Sequence, residues 1–134
     1  MKNDEIEKEI VDRFVIKPKI KRILWELNSS KKRNDAIWRF TTPHILRPEC
    51  LKPIRFFDPK GLKNYLLKIK NKRIVYYLGH SFAGFVDIDQ ATEMSSNGLC
   101  CIIYCGDGIG YYQGEQYEGR GTGAAPPRFL LCAN

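Results

Sequence analysis

The hydrophobic pattern of this chain changes period once, near Lys72, and that change limits the folds open to it. Before it, apolar residues recur at helical spacing; after it, they alternate or run together as strands do. Helices first and strands second, rather than strand and helix by turns, define an α+β fold. The expectation is a single domain over residues 1–134, mainly helical and basic over 1–72 and mainly strands with a Gly-rich loop over 73–134. Its N-terminal helices pack on a C-terminal antiparallel sheet of three to five strands. With 43% hydrophobic and 12% aromatic residues, the chain has the apolar material for a buried core rather than the composition of a disordered segment.

Ile6, Ile10 and Phe14 recur every four residues, with Val11 beside them and charges between, as an amphipathic helix requires. Pro18 can open a second helix, where the N–H it lacks has no helical partner to lose; the apolar stripe there is Ile20, Ile23, Leu24 and Leu27. Asn28-Ser29-Ser30 interrupts that stripe and offers capping hydroxyls to a third helix. This one carries Ala36, Ile37 and Phe40 and stops before Pro43, because the residue before a proline avoids helical geometry. Residues 41–57 hold Pro43, Pro48 and Pro53, show neither period, and read as an irregular connection. Asp58-Pro59 is a strong helix start. Leu62, Tyr65, Leu66 and Ile69 then form the expected buried stripe, with Lys60, Lys63, Lys68 and Lys70 on the other side.

In the second half, Ile74, Tyr76 and Leu78 alternate with Val75 and Tyr77, and both faces are apolar or aromatic, which predicts a strand covered on both sides. Phe85-Val86 reads as a short strand, and Asp87 or Asp89 as the cap of one or two helical turns around Gln90–Met94. Leu99–Cys105 and Ile109–Gln113 read as a hairpin, with Gly106-Asp107-Gly108 supplying the left-handed positions of its turn. Residues 114–127 read as a Gly-rich loop and Arg128–Cys132 as a last strand.

Charge is sorted by position. Residues 1–12 carry two lysines against five carboxylates, residues 13–73 carry 18 Lys and Arg against four, and residues 74–134 carry two Arg against six. The net +7 therefore hides a strongly basic middle between acidic ends, and such a field attracts polyanions or acidic surfaces. Lys17, Lys19, Lys21 and Arg22 form one cluster; Lys31, Lys32, Arg33 and Arg39 a second; Lys60, Lys63, Lys68 and Lys70, with Lys72 and Arg73, a third. If the helices converge, these become one positive face, the candidate binding site. Its partner is then an acidic protein surface or a nucleic acid, on whose bases Trp25 and Trp38 would stack. No RNP sequence, GXXG loop or zinc knuckle marks a nucleic-acid module.

Other motifs resolve into plainer readings. Gly79-His80-Ser81-Phe82-Ala83-Gly84 resembles a nucleophile elbow, but His44 and His80 both precede Ser81, so no histidine follows to serve as base. Asp87, Asp89 and Glu93 lack the glycine of a calcium loop, and the glycines between 106 and 123 are accompanied by Tyr111-Tyr112, Glu115 and Glu118 rather than by a helix N-terminus, so they read as turn and loop, not as a phosphate cradle. Strand alternation sends Cys101 and Cys105 to one face with Ile103 and Cys100 to the other with Ile102 and Tyr104, which favours core packing over metal binding. No metal site and no cofactor is expected. Five cysteines, three of them within six apolar residues, fit reduced thiols better than a disulfide framework. Met1 is followed at once by charged residues and the longest apolar run is Leu99–Cys105, so the expectation is a soluble, cytoplasmic protein with no membrane segment.

The order Arg13-Phe14-Val15, Lys31-Lys32-Arg33, Cys101-Ile102-Ile103, Tyr111-Tyr112-Gln113-Gly114-Glu115 and Arg128-Phe129-Leu130-Leu131 resembles a group of small bacterial proteins described only as hypothetical, over most of the chain. The stretch Gly119–Ala125 is longer here than in that group. The resemblance implies no activity, cofactor or catalytic residue. What remains is a small, non-enzymatic binding protein whose basic helical face engages an acidic protein, as in toxin–immunity or defence–antidefence pairs. The alternatives are nucleic-acid binding by the same face, and an enzyme with a site near His80 and Ser81, with Asp87 as a further suspect.

Overall fold

A computed structural model of the chain describes residues 3–55, 58–115 and 127–133. Its helices are α1 (Asn3–Phe14), α2 (Ile20–Leu27), α3 (Arg33–Trp38), α4 (Pro59–Ile69) and α5 (Ile88–Ser95). Its strands are β1 (Leu51–Pro53), β2 (Ile74–Gly79), β3 (Ala83–Asp87), β4 (Cys101–Gly106), β5 (Ile109–Gln113) and β6 (Arg128–Cys132). The strands form one antiparallel sheet in the order β1-β6-β5-β4-β2-β3. The chain is α+β, with the helices largely N-terminal and the sheet largely C-terminal, and among the described residues the sheet has six strands rather than three to five.

Both faces of the sheet are covered, as the two apolar faces of β2 require. On one face Tyr76, Leu78, Ile102, Tyr104, Tyr112 and Leu131 pack against α1, α2, α3 and the connection after them, through Ile10, Phe14, Ile23, Ile37, Phe40 and Leu46. On the other, Val75, Tyr77, Cys101, Ile103, Cys105 and Tyr111 pack against Leu62 and Leu66 of α4 and Ile88 and Ala91 of α5. The cysteines split between the faces as strand alternation dictates.

Tyrosines dominate the sheet, and a buried phenol needs a partner for its hydroxyl. Tyr76 donates to Glu7 at 2.5 Å, Tyr104 donates to Glu9, Tyr112 donates to the Phe40 carbonyl at 2.6 Å, and Tyr111 donates to Gln113 at 2.8 Å. Two carboxylates of the acidic N-terminal segment are thus drawn to the helix–sheet interface. The C-terminal end of α1 is held in turn by Arg47, which donates to the carbonyls of Val15 and Asp12, both at 2.8 Å.

Local signals act where expected at α4, whose Asp58 cap accepts from the Gly61 N–H at 2.7 Å, and at α5, where Asp87 accepts from the Asp89 N–H at 2.9 Å. Gly106, Asp107 and Gly108 all take positive φ in the β4–β5 turn. Three expectations are corrected. Residues 41–57 are not wholly irregular, since β1 pairs Leu51 with Leu131 and Pro53 with Phe129; a proline is tolerated because β1 is an edge strand. The third helix ends at Trp38, and Phe40 lies in a 3-10 turn (Arg39–Thr41). Ile69 is not buried but 39% exposed, because the last turn of α4 runs past the core. Of the Gly-rich loop, residues 116–126 lie outside the described residues. Among the described residues no helix is long and apolar enough to cross a membrane.

Candidate functional site

The basic residues do not share one surface. Those of α4 lie on the side of the sheet opposite α1, α2 and α3, so Lys60, Lys63, Lys68 and Lys70 are separated from the other eight by the sheet itself. Several are also paired. Lys63 meets Asp89 at 2.7 Å and Lys70 meets Asp107, tying α4 to α5 and to the β4–β5 turn. Arg33 forks onto Glu7 at 2.8 and 2.5 Å and donates to the Leu27 carbonyl at 3.0 Å. Arg39 forks onto Glu26 at 2.6 and 2.8 Å, and Arg22 reaches the same carboxylate at 3.2 Å. Lys32 faces Asp35 at 3.8 Å.

Glu26 is 1% exposed, and it bridges α2 to the turn after α3. Hydrogen bonding from Arg39 holds its carboxyl below the usual glutamate range against the opposing effect of burial, with Arg22 adding to the lowering. Arg33 is shifted up, first by its hydrogen bonds to Glu7. These arginines hold the helical layer together.

What stays open on that layer is narrower. Lys17, Lys19 and Lys21 are exposed and form no ion pair with any described residue. They adjoin Arg22, whose guanidinium lies 5.3 Å from the centroid of Trp25. Trp25 is 56% exposed, because Ile23, Glu26 and Leu27 take the inward face of α2. Trp38 of α3 is 55% exposed as well. Lys31 lies in the exposed turn before α3.

A second constellation sits at the β2–β3 end. A cleft of about 500 Å³ opens there, its walls including Asp4, Glu7, Arg33, Asn34, His80 and Ser81. Ser81 lies in the turn closed by the Gly79 N–H donating to Phe82 O at 3.0 Å, between two antiparallel strands, so it is not on the strand-to-helix bend of a nucleophile elbow. Asp87 caps α5 and pairs with Arg73 at the far end of β3, opposite Ile74, about four strand residues or ~13 Å of backbone from the His80 turn. His80, Ser81 and Asp87 therefore do not assemble.

His80 meets two other residues instead. Its Nε2 lies 3.4 Å from the Cys100 Sγ and 3.4 Å from Glu115 Oε1, while the Cys100 N–H donates to the same Glu115 oxygen at 3.3 Å. Trp38 packs on the imidazole at 4.4 Å between ring centroids. Cys100 is 1% exposed and its thiol approaches the Ile37 carbonyl at 3.6 Å. Burial pushes that thiol up, and the neighbouring Glu115 charge pushes it further, so it is not an activated nucleophile. A relay would also put thiol and carboxylate on opposite ring nitrogens, whereas here both face Nε2. The three donor atoms lie within 4.8 Å of one another, the spacing at which one cation can touch all three. Reading the sequence missed Cys100 and Glu115 as neighbours of His80, because they come from different strand ends.

Fold and site together define an α+β protein with an antiparallel sheet between two helical layers, a basic aromatic surface on one layer and a His–Cys–Glu cluster beside it. Comparison with protein-family models, curated proteins and solved structures finds no match.

Proposed function

We propose that this chain is a small, non-enzymatic binding protein that docks an acidic protein through the outer face of Lys17–Trp25. The observation that carries the reading is Trp25, more than half exposed, with the Arg22 guanidinium against its ring and Lys17, Lys19 and Lys21 alongside without acidic partners among the described residues. Tryptophan and arginine are the residue types that concentrate binding energy at protein interfaces, and unpaired lysines around them speed encounter with an acidic surface. The surface is smaller than the twelve-residue face expected from the sequence, since α4 lies across the sheet and Arg33 and Arg39 are engaged by Glu7 and Glu26. That reduction weighs against nucleic acid, where affinity grows with the number of phosphates neutralised.

The test is isolation of the full chain's complex from its native host, followed by affinity measurement with the identified partner. The expected partner is acidic and stoichiometric. Trp25→Ala should weaken it by about 2 kcal/mol, about 30-fold, and Lys17→Glu with Lys19→Glu should slow association at low salt. A complex indifferent to both changes refutes the reading. Retention of mixed DNA or RNA with a steep fall in added salt would assign the surface to nucleic acid instead.

A further inference from the structure

Three donor atoms of three chemical kinds converge where three segments of the sheet end. His80 follows β2, Cys100 precedes β4 and Glu115 follows β5. We propose that His80 Nε2, Cys100 Sγ and Glu115 Oε1 bind a zinc ion. The mixed nitrogen, sulfur and oxygen set suits zinc and excludes calcium and magnesium, which take oxygen ligands.

The spacing matches. A tetrahedral zinc with bonds of about 2.0–2.3 Å holds its ligand atoms roughly 3.3–3.7 Å apart. The two pairs centred on His80 are both 3.4 Å apart and the third, Cys100 Sγ to Glu115 Oε1, lies within 4.8 Å, so any closure that a cation needs is confined to that third pair. Each ligand is also held in place. The Trp38 ring packs on His80, the Cys100 N–H donates to the Glu115 carboxylate, and the Glu115 N–H donates to Thr41 O at 2.9 Å. Such supporting contacts orient ligands and contribute to metal affinity.

Charge gives an independent argument. Glu115 is half-buried, and among the described residues the one basic side chain within 4 Å of its carboxylate is the His80 imidazole. Among the described residues no arginine or lysine forms an ion pair with that carboxylate, and the Cys100 thiol beside it carries no positive charge. With zinc bound, one thiolate and one carboxylate balance the dication, and the Cys100 proton leaves to solvent. Three protein ligands leave a fourth position for water. The proposal does not depend on the docking surface, since none of the three residues belongs to it.

The experiment uses the full reduced chain, stripped of metal, titrated with zinc against a chromophoric chelator and separately with cobalt(II) under anaerobic conditions. The expected result is one equivalent per chain, with visible cobalt bands of tetrahedral type and a near-ultraviolet thiolate-to-cobalt transfer band. Cys100→Ser should abolish that transfer band. His80→Gln and Glu115→Gln should each weaken zinc at least about tenfold, with the transfer band retained in Glu115→Gln. Cys132→Ser, a cysteine outside the cluster, should change neither. Should Cys100→Ser fail to fold, Glu115→Gln decides, because it keeps the side-chain shape and sits at the sheet's rim. No stoichiometric zinc binding by the parent chain, no transfer band, or zinc affinity unaltered in Glu115→Gln overturns the proposal.

Discussion

Glu7→Gln is the most direct probe of how α1 is docked. The Glu7 carboxylate is 5% exposed and accepts three hydrogen bonds, two from the Arg33 fork and one from the Tyr76 hydroxyl at 2.5 Å. The amide keeps the volume but turns one acceptor into a donor facing Arg33, and removes the charge that both partners rely on. Breaking a fully buried ion pair costs about 3–5 kcal/mol. The Arg33 side chain is 35% exposed and keeps its bond to Leu27 O, so part of its charge stays solvated and the expected cost falls to about 2–3 kcal/mol. Tyr76→Phe deletes a single hydrogen bond to a charged acceptor, about 1.5–3 kcal/mol. Because both changes act on one carboxylate, the double variant should lose less than the sum, by about 1 kcal/mol. Urea unfolding followed by circular dichroism measures all four corners of the cycle. With a slope of about 2 kcal/mol per molar, Glu7→Gln alone should lower the midpoint by about 1 M. A loss under about 0.5 kcal/mol, or strict additivity with Tyr76→Phe, would show that this carboxylate is not buried between α3 and β2, and the docking of α1 would have to be revised.

Two further outcomes follow from the same contacts. Glu26 has its folded-state carboxyl held low, chiefly by Arg39, so its stabilisation is complete above the ordinary value of 4.5 and is lost as pH falls through the depressed one; Glu26→Gln should flatten the acid limb of a stability profile taken from about pH 7 to about pH 3, and an unchanged limb would contradict the Arg22–Glu26–Arg39 bridge. Gly108 and Gly98 both have positive φ, but a Cβ on Gly108 would lie 2.1 Å from Ala133 O whereas one on Gly98 meets nothing within 4 Å. Gly98→Ala should therefore cost about 1 kcal/mol and Gly108→Ala clearly more, read as a difference in thermal midpoint; equal costs would show that β6 does not close over the β4–β5 turn as described.

Elements with a local cause were legible in the sequence. The start of α4 is written in Asp58 and Pro59, the β4–β5 turn in Gly106-Asp107-Gly108, and the double burial of β2 in the absence of a polar face. Elements whose cause lies elsewhere in the chain were not. Leu51–Pro53 has no period of its own and becomes a strand only because β6 presents an open edge to it. The basic clusters failed in a related way. Helical periodicity places Lys60 and Lys68 on the outer face of α4, which is correct, but periodicity carries no information about which side of the sheet α4 takes. Nor does residue type show that Arg33 and Arg39, grouped by sequence with a binding face, would be consumed by Glu7 and Glu26.

The His80–Cys100–Glu115 cluster was hidden for a reason that can be stated in strand register. His80 and Cys100 are 20 residues apart, and Cys100 and Glu115 a further 15, so no spacing motif unites them. What unites them is that Gly79 pairs with Cys101 and Cys101 with Gln113; one step outward along each strand brings His80 beside Cys100, and two steps past Gln113 bring Glu115 to the same rim. A slip of one residue in β4 would turn Cys100 to the opposite face of the sheet. The same slip would move Ile102 and Tyr104 out of the core they share with α1, and separate Tyr104 from Glu9. The packing that fixes β4 against α1 therefore also fixes the position of Cys100 beside His80 and Glu115.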